Sequence, residues 1–158
     1  MHGFGHLLIV WHDSHLTGIK ILDEQHRAYV SLINSLHYTL SARRDDGVDV
    51  HPPSQRPAFL QSFYDMLISH SKIHFKTEIE LLRVSDYPHL YEHQHLHGQF
   101  ITDADQIFQK CMTGDSAPEL FMSFLKDFWQ KHILQKDKAY CDHLIDYFKS
   151  KARIIKKR

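Results

Sequence analysis

With 158 residues and 42% hydrophobic content, the chain is long enough for one domain with a real core. Lys plus Arg balances Asp plus Glu at 19 each, so no overall field points to nucleic acid or to a membrane surface. Two cysteines, Cys111 and Cys141, make no disulfide framework and fit free buried thiols in a reducing cytoplasm, while the apolar run "LLIVW" is too short for a signal core or a membrane span.

Residues 1–20 read as an arm laid over a helical body, and its histidines (His2, His6, His12 and His15) read as surface groups. From about residue 22 to 43, Leu22, His26, Val30, Ile33, Leu36 and Leu40 share one stripe at helical spacing. "RRDDGVDVHPPSQRP", with Gly47 and three prolines, is a loop. A second helix from about 57 to 84 carries Phe63, Leu67, His70, His74, Glu78 and Leu81 on its stripe. "SDYPH" breaks the pattern at Pro88, and a third helix from about 88 to 112 carries Leu90, His93, His97, Phe100, Ala104, Ile107 and Cys111. "TGDSAP" breaks it again, and a fourth helix from about 118 to 149 carries Phe121, Leu125, Phe128 and His132, then Asp137, Cys141, Leu144 and Phe148. The expected fold is all-α, an up-down-up-down four-helix bundle within residues 1–150 with the arm at 1–20. "KSKARIIKKR" ends the chain with six basic residues and no acid, and 151–158 read as a basic tail or the start of a linker.

The fourth stripe contains a misfit. Its positions advance by three or four until His132, then by five to Asp137. Five residues of α-helix rotate about 140° past a full turn, so the two side chains would straddle the core face. One extra residue in a single turn, a π-bulge between about 130 and 138, restores the register. A straight helix whose aspartate reaches across is the other solution.

Polar groups interrupt the apolar stripes near the middle of all four helices: His26, His74 with Glu78, His93 with His97, and His132 with Asp137. Single HxxxH pairs mean little here, since 15 histidines produce the same spacing at His2/His6, His70/His74 and His89/His93. Seven donors converging from four helices are different, because burying them without partners would cost several kcal/mol each, to order of magnitude. One tetrahedral zinc takes at most four ligands, so the set implies two metals. Five imidazoles with two carboxylates suit a pair of irons better than calcium or magnesium. His95 and His89 are expected on the surface, and His70 is either an ordinary buried histidine or a gate beside the site.

These segments resemble the hemerythrin family, specifically bacterial hemerythrins. "GIKILDEQH" (18–26), "HFKTE" (74–78), "YPHLYEHQHLHGQF" (87–100) and "HILQKD" (132–137) follow the family's order, and the resemblance spans Trp11 to Phe148. It implies one iron held by His93, His97 and His132 and another by His26 and His74. Glu78, Asp137 and an oxo or hydroxo group would bridge them. The second iron keeps an open position for dioxygen or a small anion. Phe128 and Trp129 are either lining residues or plain core. The loop between the first two helices is longer than usual for the family.

The resemblance leaves several functions open: reversible oxygen carriage, oxygen or redox sensing with a C-terminal signalling output domain, or reduction of peroxide or nitric oxide at the same metal pair. A helical interaction module without metal is the remaining class. Oligomeric state is open.

Overall fold

The computed structural model describes residues 7–41, 47–48 and 53–156, with side chains to residue 153. His2, His6, most of the connection after the first helix, and the end of the basic tail therefore lie outside the described residues.

Four helical rods form the bundle. The first three are α1 (Lys20–Ser41), α2 (Arg56–Val84) and α3 (Leu90–Thr113). The fourth rod has three parts: α4 (Pro118–Phe128), a π-helical segment (Trp129–Asp137) and α5 (Cys141–Lys156). Each α-helix from α1 to α4 packs on the next, and α4 returns to α1, which closes the ring. No strand occurs among the described residues.

Local chemistry sets the ends. Pro57 and Pro118 sit in the first turns of α2 and α4, where a missing N–H costs nothing. Gly114 closes α3 at φ 83°, a left-handed conformation that a glycine adopts without strain. In the first turn of α1, Asp23 accepts hydrogen bonds from the Thr17 backbone N–H at 2.7 Å and the Thr17 hydroxyl at 2.8 Å. The third helix starts at Leu90 instead of Pro88, because residues 88 and 89 form a turn and His89 is its N-cap.

The arm is seated by side-chain mimicry of a backbone pair: Asn34 accepts from the Ile9 N–H at 2.9 Å and donates to the Ile9 carbonyl at 2.8 Å. Ile9 is buried in the main core, and Trp11 packs beside it. The expectation of surface histidines holds for His12, but His15 is half-buried, edge-on to Trp129 at 5.3 Å.

Two apolar clusters divide the bundle along its length. A large one runs from Ile9 through Leu36, Phe63, Phe100, Phe121 and Ile133, and a small one joins Leu22, Leu82, Tyr140, Cys141 and Leu144. The polar stripe residues lie between them on every helix. Phe148, expected on the inward stripe, is instead 40% exposed. Leu144 packs level with Leu22, near the start of α1, so the later turns of α5 outrun the helices that would cover them.

Candidate metal centre

Between the two apolar clusters the four rods bring His26, His74, Glu78, His93, His97, His132 and Asp137 together, all buried. The donors fall into two overlapping groups, each compact enough to surround a cation: Glu78, His93, His97, His132 and Asp137 in one, and His26, His74 and Asp137 in the other.

Asp137 belongs to both, and its two oxygens divide between them. Oδ2 lies 3.3 Å from His26 Nε2 and 3.8 Å from His74 Nε2, while Oδ1 lies 3.0 Å from His132 Nε2 and 3.3 Å from His93 Nε2. Glu78 also faces both groups, but through one oxygen. Its Oε2 is 3.0 Å from His97 Nε2 and 3.7 Å from His74 Nε2, and its Oε1 is 3.2 Å from His93 Nε2. Every histidine in these contacts presents Nε2. The imidazoles therefore share one direction of approach, towards a common centre.

These contacts are short, but most lack hydrogen-bond directions. Both Asp137 oxygens, Glu78 Oε2 and the Nε2 atoms of His26, His74 and His93 are buried without a hydrogen-bond partner. An orphaned buried polar atom costs about 1–3 kcal/mol, more when charged. Groups aimed at a shared point rather than at one another fit cations at that point, and imidazole with carboxylate is a donor set iron accepts.

The electrostatics agree. Burial and the neighbouring Asp137 push the Glu78 carboxyl up, but His93, His97 and His74 outweigh them and bring it down to about 2. Burial also pushes Asp137 up, and His132, His26 and His74 hold it well below the usual carboxylate range. His93 is lowered by burial, yet the two carboxylates lift it to about 9. Both acids therefore stay ionised in a closed core, where they can serve as anionic donors to a cation.

The π-helical segment places the fourth-helix donors. It is nine residues long, wider than the single bulged turn expected from the spacing, and it encloses both His132 and Asp137. Five residues apart, they share one face, and their contact is 3.0 Å. The straight-helix alternative is therefore excluded.

Neighbouring residues hold the donors in two different ways. Phe75 stacks on the His97 ring at 3.8 Å and 9°, and Phe128 stacks on His132 at 4.6 Å and 13°. On the other side, His74 Nδ1 meets Gln25 Oε1 at 3.0 Å. Of the two expected lining residues, Phe128 touches a candidate ligand, whereas Trp129 packs against the arm at Trp11.

Two functional neighbours were not legible from the stripes. Buried Tyr140 donates its hydroxyl to Glu78 Oε1, and its ring lies 5.4 Å from His93. Its position three residues after Asp137 is the only sequence signal that places it on the same face. Gln25 adjoins His26 but faces His74 on another helix, which no pattern within α1 reveals. His95 is exposed as expected, and His89 is exposed with Nδ1 3.2 Å from Glu92. His70 is half-buried, its Nε2 2.9 Å from the Gln25 carbonyl. Cys141 is a free buried thiol, and Cys111 is free but only half-buried.

Comparison with known proteins agrees with this geometry. The hemerythrin HHE cation binding domain family matches residues 17–144. A bacteriohemerythrin of Stenotrophomonas maltophilia (strain R551-3) is 26% identical over 146 residues, spanning 92% of this chain and 88% of the relative. One from Clostridium acetobutylicum is 24% identical over 137 residues, spanning 85% and 100%. A crystal structure of a hemerythrin point mutant superposes with a TM-score of 0.72 at 21% identity, covering 88% of this chain and 98% of the other. That likeness carries the fold, and the family match carries the membership: this chain belongs to the hemerythrin family of HHE cation-binding domains.

Proposed function

We propose that the chain holds two irons and serves as an oxygen- or redox-sensing domain, taking up dioxygen or a small anion on the side of His26 and His74. The observation that carries this reading is the division of Asp137, one oxygen towards His26 and His74 and the other towards His93 and His132. A bridging carboxylate between two cations requires such a division. His93, His97 and His132 would hold one iron, His26 and His74 the other, with Glu78 and Asp137 between them. Three histidines fill more of a coordination shell than two, so an open position would fall on the His26 and His74 side. The iron pair, when bound, supplies two electrons and a Lewis-acidic position for dioxygen.

The protein's part is to keep this position shaped and dry. The apolar clusters above and below exclude water, and the stacked Phe75 and Phe128 fix the ring planes of His97 and His132. Tyr140 holds Glu78 Oε1 by a hydrogen bond, which leaves Oε2 to face the centre. The sensing reading, rather than carriage, draws on the fourth rod. His132, Asp137 and Tyr140 lie on one continuous rod that runs outward through α5 to Lys156, beyond the helices that flank it. A displacement at the centre is thereby coupled to an exposed basic helix, a suitable lever for an output domain. In this reading the chain works in the cytoplasm. No described helix is long and apolar enough to cross a membrane.

Iron reconstitution tests the reading. About two irons per chain, charge-transfer bands in the diferric state and a spectral response to azide are the expected results. A single metal, a preference for zinc under iron-replete loading, or a diferric spectrum indifferent to millimolar azide would overturn it. Rapid oxidation by air supports sensing, whereas a long-lived oxygenated form supports carriage and fast peroxide or nitric oxide turnover a reductase.

A further inference from the structure

His74 offers Nε2 to the centre, and its Nδ1 meets the Gln25 side chain at 3.0 Å. Which end of an amide faces a histidine must be decided by the surrounding hydrogen bonds. Here the answer comes from Thr77. Its hydroxyl lies 2.9 Å from the Ile73 carbonyl, and a carbonyl can only accept, so the hydroxyl proton is committed there. Thr77 Oγ1 must then accept from its other partner, Gln25 Nε2 at 3.2 Å. The amide nitrogen is thus fixed on Thr77 and the amide oxygen on His74. An oxygen that only accepts requires a proton on His74 Nδ1, and the neutral ring then keeps its lone pair on Nε2. The main chain of Gln25 is held independently: its carbonyl accepts from His70 Nε2 at 2.9 Å, across the α1–α2 interface.

Building on the diiron reading, we propose that Gln25 is the positioning residue of the His26 and His74 half. Locked by Thr77 and anchored by His70, it holds His74 with Nδ1 protonated and Nε2 facing the centre before any metal arrives. His97 has no such partner, since its Nδ1 is buried without a hydrogen bond and its ring is held by Phe75. His26 Nδ1 is likewise buried without a partner, so the device acts on this half through His74 alone. It also has an electronic consequence. A carboxylate in place of the amide would pull harder on the Nδ1 proton, make Nε2 a stronger donor and favour the ferric state.

The full chain and its variants Gln25→Leu, Gln25→Glu, Thr77→Val and His70→Phe test this with two readouts. In the metal-free protein, proton NMR should show a slowly exchanging His74 Nδ1–H. That proton should persist in Gln25→Glu, exchange fast in Gln25→Leu, and exchange at intermediate rates in Thr77→Val and His70→Phe. In the iron-loaded protein, Gln25→Glu should lower the midpoint potential, and Gln25→Leu should weaken retention of one iron roughly 10–100-fold. A Gln25→Leu protein with unchanged Nδ1–H exchange overturns the proposal. So does a Gln25→Glu protein with unchanged potential and a lowered melting temperature, because that pattern marks a merely structural contact. Thr77→Val removes one hydroxyl at constant shape and keeps the test decisive if Gln25→Leu fails to fold. A wild-type chain that retains no iron but shows the protected Nδ1–H would overturn the diiron reading and uphold the positioning role.

Discussion

The two halves of the centre are built from the same residue types but held by different forces. His74 is directed by a hydrogen-bond chain through Gln25 and Thr77, whereas His97 and His132 are directed by flat aromatic neighbours. Hydrogen bonds fix a tautomer and an angle, and they can be tuned by one atom. Stacking fixes a plane through van der Waals contact and leaves the far nitrogen free. The half proposed to stay open thus has the tunable support, and the half with more histidines has the rigid one. Joining them are Glu78 and Asp137, which face both.

The largest effect should come from removing that join. Glu78→Ala and Asp137→Ala each take away a group facing both halves and strand several buried imidazoles. Iron content measured after gel filtration should fall from about two per chain to one or none. Retention of both irons by Asp137→Ala would show that the halves do not share it.

Next comes the register of the fourth rod. Inserting one alanine after Gln135, an exposed residue in the π segment, lengthens the step from His132 to Asp137 to six residues and should rotate Asp137 about 100° off the core face. The expected protein is as helical as wild type by circular dichroism but binds at most one iron. Two tightly bound irons in this variant would mean that the five-residue spacing of His132 and Asp137 is incidental.

Truncating the stacked support is a smaller change. Phe75 is buried, and Phe75→Ala should cost about 3–5 kcal/mol by denaturant titration. Phe128 is only half-buried, so Phe128→Ala should cost less. Both should loosen iron retention at His97 or His132 while leaving azide binding on the other side. Loss of azide binding with both irons retained would reverse the assignment of the open half.

The pH response separates protein from metal. In the metal-free chain, Glu78 is brought from 4.5 down to about 2, so its contribution is present above pH 4.5 and disappears as pH falls through about 2. His93 is raised from 6.5 to about 9, so its contribution is complete below pH 6.5 and disappears as pH rises through about 9. The metal-free melting temperature should therefore peak between about pH 4.5 and 6.5. Metal loading runs the other way, because the ligand imidazoles must shed their protons. The rise in melting temperature on loading should grow from pH 6.5 to 9, and a rise that shrinks over this interval would contradict the site. Smallest of all, the exposed His95→Ala should change stability by less than about 0.5 kcal/mol and leave iron content unaltered.

Much of this was legible in the chain because period and polarity are local properties. His26, Glu78, His93 and Asp137 interrupt stripes that are otherwise apolar, and a polar group on a buried stripe identifies itself. The five-residue step from His132 to Asp137 even exposed the π segment, since register is arithmetic on a helix. Its nine-residue length was not legible, because how far a helix widens depends on what packs around it. Phe148 was misread for a related reason: the stripe continues past the point where neighbouring helices stop.

The sequence by itself determined four amphipathic rods, their breaks and the seven donors, since these follow from spacing along one helix at a time. Tertiary structure alone decided that Gln25 serves His74, that Tyr140 serves Glu78 and that Asp137 divides its oxygens between two groups. Those relations join residues on different helices, or turn on which way one side chain points. No periodicity records either of them, because both are set only when the rods pack and each buried polar atom must find its partner.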